Sequence, residues 1–187
     1  MQRRSIRQFK KENCGRELVR NIADVAWNAA SGVNQHMIHL SIVDDMKVME
    51  EFRTLLYAEL KKMAANPGPL ARLIRILGED QEQWLPTDRV LRHAPHFIAC
   101  SYAEKAITGL PDVFINLSLF EALAIANGIG TLWCGYLDSC LKAIPALREF
   151  IGVPAGYNVG YAMLFGFPAV KYKRGVYRHP ASVNYVG

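Results

Sequence analysis

Residues 113–126 of the sequence, VFINLSLFEALAIA, are preceded by Asp112 and followed directly by Asn127 and Gly128. Asp is a favoured helix N-cap and Asn-Gly a common stop, so the segment is predicted to form one long helix. Its side chains are apolar on nearly every face, which is typical of a helix buried at the centre of a protein. The fold is therefore expected to be assembled around this helix.

A second clear helical pattern covers residues 16–30. Apolar residues recur there at the spacing of one helix face, and Gly32 is placed to end the helix. The residues predicted to share that face are Leu18, Ile22, Val25, Ala26 and Ala29.

The other elements are predicted from alternating apolar residues and from proline and glycine breaks. Strands are expected at residues 38–43, 96–101 and 159–165, and further helices at 46–64, 70–77 and 145–150. Residues 66–92 form the least regular part. This order of elements favours a layered α+β fold over regular βαβ winding.

The size and charge of the chain limit what it can be. With 187 residues, of which 51% are hydrophobic, residues 1–187 are expected to form one domain with a sizeable core. The net charge of +5 is spread along the chain without a basic stripe, so no nucleic-acid partner is expected. There is no run of about 20 uncharged apolar residues, so no membrane span is expected either.

Cysteine and histidine spacing gives no sign of a metal site. Neither C-x-x-C pairs nor cluster-ligand spacing occur among Cys14, Cys100, Cys134 and Cys140. We therefore expect reduced thiols in a cytoplasmic protein, without an iron–sulfur cluster. The pairs His36/His39 and His93/His96 lie in extended or proline-containing segments, where a spacing of three does not place both rings on one face.

Arginines stand near both ends of the sequence. The chain begins with Arg3-Arg4-Ser5-Ile6-Arg7 and contains Arg178 close to its end. A guanidinium group presents a planar fork that binds two phosphate oxygens at once, so these residues suit a phosphomonoester if folding brings them together. A basic terminus alone is more often solvated surface.

Six segments in a fixed order resemble the FMN-dependent nitroreductase family. They are the opening Arg3-Arg4-Ser5-x-Arg7, Ala30-Ser31-Gly32-Val33-Asn34, Arg92-His93-Ala94-Pro95-His96, Gly128-Ile129-Gly130-Thr131-Leu132-Trp133-Cys134-Gly135, Gly166-Phe167-Pro168 and the terminal Arg178. The pattern Ser31-Gly32-x-Asn34-x-His36-x-Ile38-His39 is similar to the branch that is often fused to a ferredoxin-like domain.

The resemblance covers nearly the whole chain and implies a fold and an assembly. Expected are a nitroreductase-like α/β/α layered fold with a mainly antiparallel central sheet, and a homodimer with swapped C-terminal tails. Family members usually carry a short helix before the opening motif, which here begins at Arg3. The chain is thus expected either to lack that helix or to be a domain of a longer protein.

The resemblance also implies FMN as the cofactor and assigns the arginines. Arg3 and Arg178 match positions that bind the phosphate, and Arg4 and Ser5 match positions that contact the ribityl and pyrimidine portions. Arg7 matches a cationic position beside the N1–O2 edge of the ring. A fixed positive charge there favours the reduced flavin and raises its potential.

Two further segments complete the implied site. A turn containing Ser31, Gly32 and Asn34 matches a stretch that reaches the flavin held mainly by the other subunit, which puts the site at the dimer interface. A second segment matches the part that lies along one ring face and points a backbone amide at N5: Leu132, Trp133, Cys134 and Gly135. Helix capping is the alternative role for Ser31 and Asn34. For Cys134, packing of a small side chain is favoured over a redox-active thiol.

The implied function is an FMN-dependent oxidoreductase that uses NAD(P)H to reduce nitroaromatic or quinone-like acceptors through flavin N5. Hydride transfer through a flavin needs no protein acid or base, so no catalytic side chain is assigned. Residues 66–92 are expected to set substrate choice, with Leu73, Leu77 and Trp84 either an apolar wall or ordinary core. The alternatives are an electron-transfer or flavin-holding module fed by a ferredoxin-like domain, and a dehalogenase or ring oxidase with the same FMN site.

Overall fold

A four-stranded antiparallel sheet forms the middle of the protein. The computed structural model describes residues 3–174 and 181–186. The strands are β1 (Ile38–Val43), β2 (His96–Ala103), β3 (Gly130–Trp133) and β4 (Tyr157–Gly166), in the spatial order β1-β2-β4-β3. Each neighbouring pair is antiparallel, which confirms the predicted α+β class and sheet type.

Helices cover both faces of this sheet. They are α1 (Arg16–Ala26), α2 (Met46–Met63), α3 (Ala71–Leu77), α4 (Trp84–Thr87), α5 (Gly109–Ala126), α6 (Gly135–Ala143) and α7 (Pro145–Phe150). Because successive strand residues face opposite sides, Phe97 of β2 packs with Phe52 of α2, while Ile98 joins the core made with α1 and α5. Two cores, one on each face, confirm the α/β/α layers.

The helix expected at the centre, α5, packs against α1 and the sheet through Val113, Leu117 and Phe120. By length and composition it is the one described helix that could cross a membrane. Two of its buried polar side chains, however, form hydrogen bonds within the domain. The Asn116 side-chain amide donates to the Ala26 carbonyl at 2.8 Å, and Glu121 accepts from Thr131 Oγ1 at 2.9 Å. These hydrogen bonds join α5 to α1 and β3, as expected of a helix in the core of the domain.

Two details of the sequence prediction for α5 were wrong. The helix begins at Gly109, and Asp112 lies inside its first turn instead of capping it. Asp112 accepts hydrogen bonds from Thr108 Oγ1 at 2.9 Å and from the Gly32 N–H at 3.1 Å. The helix is also not buried all round, because Phe114 and Ile115 are exposed on one side.

The prediction for α1 was wrong in length and in face. The helix ends at Ala26, four residues before the predicted residue 30. Its buried face carries Val19, Ile22 and Ala26, whereas Val25 is 52% exposed. Positions 19, 22 and 26 lie on one helix face, whereas position 25, at about 100° per residue, is rotated about 120° away from position 19.

Strand β3 and helix α6 were not predicted. β3 has only four residues and begins with a glycine, so its alternation is too short to detect. Only one residue separates β3 from α6, so no turn sequence marks where the helix begins.

Candidate functional site

A cavity of about 490 Å³ opens beside the outer edge of β3. Its walls come from the β3–α6 junction, the extended N-terminal segment, the start of α3 and the loop of residues 88–94 that precedes β2. The volume falls in the range of sites for cofactors and small molecules.

Five of the predicted site residues line this one cavity. Arg7 reaches it from the N-terminal segment, and the other four come from consecutive positions at the β3–α6 junction: Leu132, Trp133, Cys134 and Gly135. Segments more than 120 positions apart in the chain are thus brought together, as the motif resemblance implied.

The N-terminal segment is held beside β3 by backbone pairing. Ser5 forms a parallel bridge with Thr131, and the Ile6 N–H donates to the Thr131 carbonyl at 2.9 Å. This pairing delivers Arg7 to the cavity, whereas Ser5 does not line it.

The backbone at Trp133 presents a donor on the cavity side. Alternate residues of an antiparallel strand bond to the same neighbour, and the Cys134 N–H donates to the Ala162 carbonyl of β4 at 3.0 Å. The Trp133 N–H therefore points away from β4, towards the outer edge where the cavity lies. The Trp133 ring itself is held between Phe114, at a centroid distance of 6.0 Å, and Tyr161, at 5.5 Å.

Helix α6 begins at the cavity wall. Gly135 is its first residue, and Tyr136 and Ser139 also line the cavity. The free N–H groups and the helix dipole make this end favourable for electron-rich groups. A Cβ atom on Gly135 would lie 3.3 Å from Tyr161 Oη, so any larger residue would be tightly packed against Tyr161.

The Cys134 thiol is a structural group. It donates to the Val90 carbonyl at 3.3 Å and accepts from the Leu137 N–H at 3.5 Å. Burial raises the pKa of the Cys134 thiol to about 11, so the reactive thiolate is scarce at neutral pH. These contacts favour the packing role over the redox role.

The cavity also contains two cations that the sequence did not single out. Arg72 of α3 and Arg92 of the 88–94 loop line it together with Arg7, and among the described residues no acidic side chain does. Within residues 3–174 and 181–186, none of these three guanidinium groups forms an ion pair. Arg92 stood in one of the quoted family segments, but no local pattern indicated where Arg72 would point.

A buried carboxylate organises the loop that carries Arg92. Asp88 is fully buried, and its Oδ2 accepts from Arg53 Nε and from the His93 N–H, both at 2.8 Å. Its Oδ1 accepts from the Tyr57 hydroxyl at 2.9 Å and from the Leu91 N–H at 3.0 Å. The loop is thus tied to α2 at several points.

The same loop has unusual backbone angles. Asp88, Arg92 and His93 have φ values of 41°, 56° and 52°, in the left-handed region that L-residues seldom adopt. Such angles persist only where surrounding bonds enforce them, as the Asp88 carboxylate does here.

Three of the predicted phosphate, ribityl or pyrimidine contacts, Arg3, Arg4 and Ser5, do not line the cavity. Arg3 lies 3.4 Å from Glu121 in an ion pair. Arg4, which alternates to the other side of the extended segment, stacks on Tyr172 at 4.1 Å and donates to the Arg174 carbonyl at 3.0 Å. Arg178 lies outside the described residues.

The turn with Ser31, Gly32 and Asn34 lies against the start of α5 and does not line the cavity of its own chain. Ser31 Oγ accepts from the His36 N–H at 3.1 Å, and the Asn34 and His36 side chains are 2.8 Å apart. A Cβ atom on Gly32 would lie 2.1 Å from Thr108 Oγ1, so only glycine fits there.

The expected apolar wall is divided between cavity and core. Leu73 lines the cavity, whereas Leu77 and Trp84 are buried away from it. The Trp84 Nε1–H donates to the Gly78 carbonyl at 2.9 Å.

Solved structures share this fold over the full length of the chain. A nitroreductase from Desulfitobacterium hafniense with bound FMN superposes with a TM-score of 0.74 at 24% identity, covering 100% of this chain and 95% of that one. A nitroreductase from Bacteroides fragilis with bound FMN gives 0.73 at 17% identity, covering 99% and 95%. An iodotyrosine deiodinase bound to FMN and 3-iodo-L-tyrosine gives 0.67 at 19% identity, covering 100% and 96%.

Among curated proteins, none matches the sequence. The model of the nitroreductase family matches residues 1–167, which confirms the resemblance carried by the six segments. The chain belongs to the nitroreductase family.

Proposed function

We propose that the cavity beside β3 binds FMN and that the chain is an FMN-dependent oxidoreductase. The observation that carries this proposal is the meeting of the Arg7 guanidinium, the outward Trp133 N–H and the start of α6 in one cavity. The FMN bound in structures of the same fold supports it.

The residues present fit such a cofactor. The pyrimidine edge of a flavin requires hydrogen-bond donors, which Arg7 and the backbone supply, and the flat ring requires apolar walls such as Leu73 and Leu132. In the part of the chain that the structure describes, no carboxylate lines the cavity to repel an electron-rich ring edge. Arg3 would reach a phosphate by exchanging its part-buried pairing with Glu121 for a dianionic partner.

The protein's own contribution is position and electrostatics. Bound FMN supplies two-electron oxidation–reduction chemistry. Arg7 provides fixed positive charge, the Trp133 N–H provides an oriented donor, and the apolar walls limit the access of water. Within the described residues that line the cavity, no Asp, Glu or His is available as an acid or base, which suits transfer of a hydride from NAD(P)H to a nitroaromatic or quinone-like acceptor.

We further propose that the chain acts as a cytoplasmic homodimer of single-domain subunits. The Ser31 turn lies away from its own cavity, so it reaches a cavity only across an interface. Exposed apolar side chains beside it support such an interface: Trp27, Ile107, Leu110, Phe114 and Ile115. In the tail, Tyr185 and Val186 are each 91% exposed, as expected of residues that a second chain covers.

The test begins with cofactor and donor. The purified chain should bind FMN in a visible-absorbance titration and should be reduced anaerobically by NADH or NADPH. Reduction by reduced ferredoxin alone would instead favour the electron-transfer module. A protein that does not retain FMN would contradict the proposal.

A pair of tryptophan substitutions locates the binding site. Ser139 is exposed at the cavity wall, so Ser139→Trp should obstruct it and weaken FMN binding by about tenfold or more. Thr54 is exposed on α2, away from the cavity, so Thr54→Trp should bind FMN as the parent does. Equal retention of FMN by both variants would show that the cofactor lies elsewhere.

A further inference from the structure

The cavity contains more positive charge than the proposed role of Arg7 requires. Arg72 and Arg92 line it as well, and no acidic side chain among the described lining residues compensates their charges. The proposed contacts with the flavin use neither of these two guanidinium groups. Both are therefore available to an anion that enters the cavity.

These two arginines come from different elements. Arg72 is on α3, whose neighbours Leu70 and Leu73 form part of the apolar wall. Arg92 is on the 88–94 loop, next to the β3–α6 junction through the Val90 carbonyl that accepts from Cys134. Both lie among the walls around the proposed ring position, where a second substrate must enter.

The backbone at Arg92 is held in place by a dedicated structure. A left-handed conformation at Arg92 and His93 is unfavourable by itself, yet Asp88 fixes it through hydrogen bonds from Arg53, Tyr57 and the His93 N–H. A strained loop that is fixed by a fully buried carboxylate directs the exposed Arg92 side chain to the cavity. Such an arrangement is expected of a binding residue more than of ordinary surface.

We propose that Arg72 and Arg92 form a subsite for an oxyanion, a carboxylate or phosphate, on the molecule that exchanges electrons with the cofactor. This inference rests on the proposed function and narrows its substrate class to anionic compounds. Guanidinium groups recognise both oxyanions through paired hydrogen bonds. The two sources are an aromatic acceptor with a carboxylate and the 2′-phosphate of NADPH.

The test compares charged and neutral ligands of equal size on the full-length protein loaded with FMN. The acceptors are 4-nitrobenzoate and 4-nitrobenzamide, and the donors are NADPH and NADH. The variants are Arg72→Gln and Arg92→Gln, which remove the charge. The matched control is Arg75→Gln, because Arg75 is exposed on the same helix but does not line the cavity.

Loss of a charged hydrogen-bonding partner should raise KM for 4-nitrobenzoate about 10- to 100-fold in both variants, with 4-nitrobenzamide changed by less than about twofold. Calorimetric titration of both compounds into the oxidised protein should give the same contrast in Kd. If the variants instead raise KM for NADPH but not for NADH, the subsite is supported and the 2′-phosphate is identified as its ligand. The Arg75→Gln control should match the parent in every case.

Two results would overturn the subsite. One is an equal effect of Arg92→Gln on charged and neutral ligands. The other is that the two variants bind FMN more weakly than the parent does but bind riboflavin equally well. These arginines would then bind the phosphate of the cofactor itself. Failure of the proposed function is distinguishable, because a parent that binds no FMN reveals it before any variant is compared. In that case, the difference in Kd between 4-nitrobenzoate and 4-nitrobenzamide, measured by calorimetry on the cofactor-free protein, still tests the subsite.

Discussion

Arg7 is exposed and lines the proposed cofactor cavity without an ion pair among the described residues. Its charge is therefore available to a bound ligand and is not neutralised by a neighbouring carboxylate among the described residues. This distinguishes it from Arg3, whose guanidinium lies 3.4 Å from Glu121. The two arginines of one short motif thus have different electrostatic surroundings.

Removal of the Arg7 charge should lower the midpoint potential of the proposed flavin. An interaction of about 1–4 kcal/mol between a cation and the reduced ring corresponds to about 20–90 mV for a two-electron couple. We expect that decrease in Arg7→Gln by spectroelectrochemical titration, with Arg75→Gln as the control. A potential equal to the parent's would place Arg7 away from the ring.

His96 is a buried neutral base whose titration should affect stability in acid. Its Nε2 accepts from the Cys14 N–H at 3.0 Å, and burial lowers the pKa of the imidazole from 6.5 to about 4. Between these values the unfolded chain binds more protons than the folded one, so stability is lost as the pH falls from 6.5 through 4.

The contribution of His96 over this range is about 2–3 kcal/mol of unfolding free energy. Urea unfolding between pH 4 and 7 should show that decline in the parent and a flatter curve in His96→Gln. The exposed His93 serves as the comparison, since His93→Gln should decline as the parent does. Identical curves for the parent and His96→Gln would contradict the assignment.

Among the elements, the 88–94 loop depends most on one buried ion pair. Asp88→Asn would remove the buried carboxylate 2.8 Å from Arg53 and leave this buried guanidinium with only the exposed Glu50 as an acidic partner. Removal of one member of a buried pair costs about 3–5 kcal/mol. We expect that loss in urea denaturation of Asp88→Asn. Glu82→Gln should cost less than about 1 kcal/mol, because the pair of Glu82 with Lys61 is on the surface. Similar losses for both would mean that Asp88 does not hold the loop.

Elements with long, regular patterns were the ones that the sequence predicted well. Four elements lie within a few residues of their expected positions: α2, β1, β2 and β4. Each has enough alternating or periodic apolar residues for its pattern to be recognised in the sequence. β3 is too short for this, and the face of α1 was displaced because Val25 looks apolar in sequence but is exposed in the structure. Local pattern does not report which apolar residue the tertiary structure buries.

The site was predictable where one motif supplies several groups. Arg7 and residues 132–135 converge as the resemblance implied, since backbone pairing of the first segment with β3 brings them together. Arg72 and Arg92 depend instead on how α3 and the 88–94 loop pack, which no short pattern encodes. The same applies to Asp88, which lies in a segment without regular periodicity.

At the scale of the whole molecule, the exposed face of α5 and the cavity share a wall. Phe114 is exposed on α5 and stacks on Trp133, which lines the cavity. A partner that covers Phe114 therefore also limits the movement of Trp133. Dimerisation and cofactor binding are expected to be coupled for this reason.

A charge on the proposed interface tests this coupling. Ile115 is exposed on α5, and burial of an unpaired carboxylate costs several kcal/mol, so Ile115→Glu should weaken the dimer about 100-fold or more and release FMN. Val48 is exposed on α2, on the other face of the sheet, so Val48→Glu should remain dimeric. Sedimentation with detection at flavin wavelengths reports both properties, and a monomer with full FMN occupancy would refute the shared site.

The pairing of Ser5 with Thr131 also protects the protein against aggregation. β3 is the last strand at its side of the sheet, and an uncovered edge strand offers its backbone to the next molecule. Because residues 3–7 both cover this edge and carry Arg7, cleavage within this segment would open the proposed cofactor cavity and expose the backbone of β3 in one event. Loss of the segment is therefore expected to turn a covered strand edge into a surface for self-association.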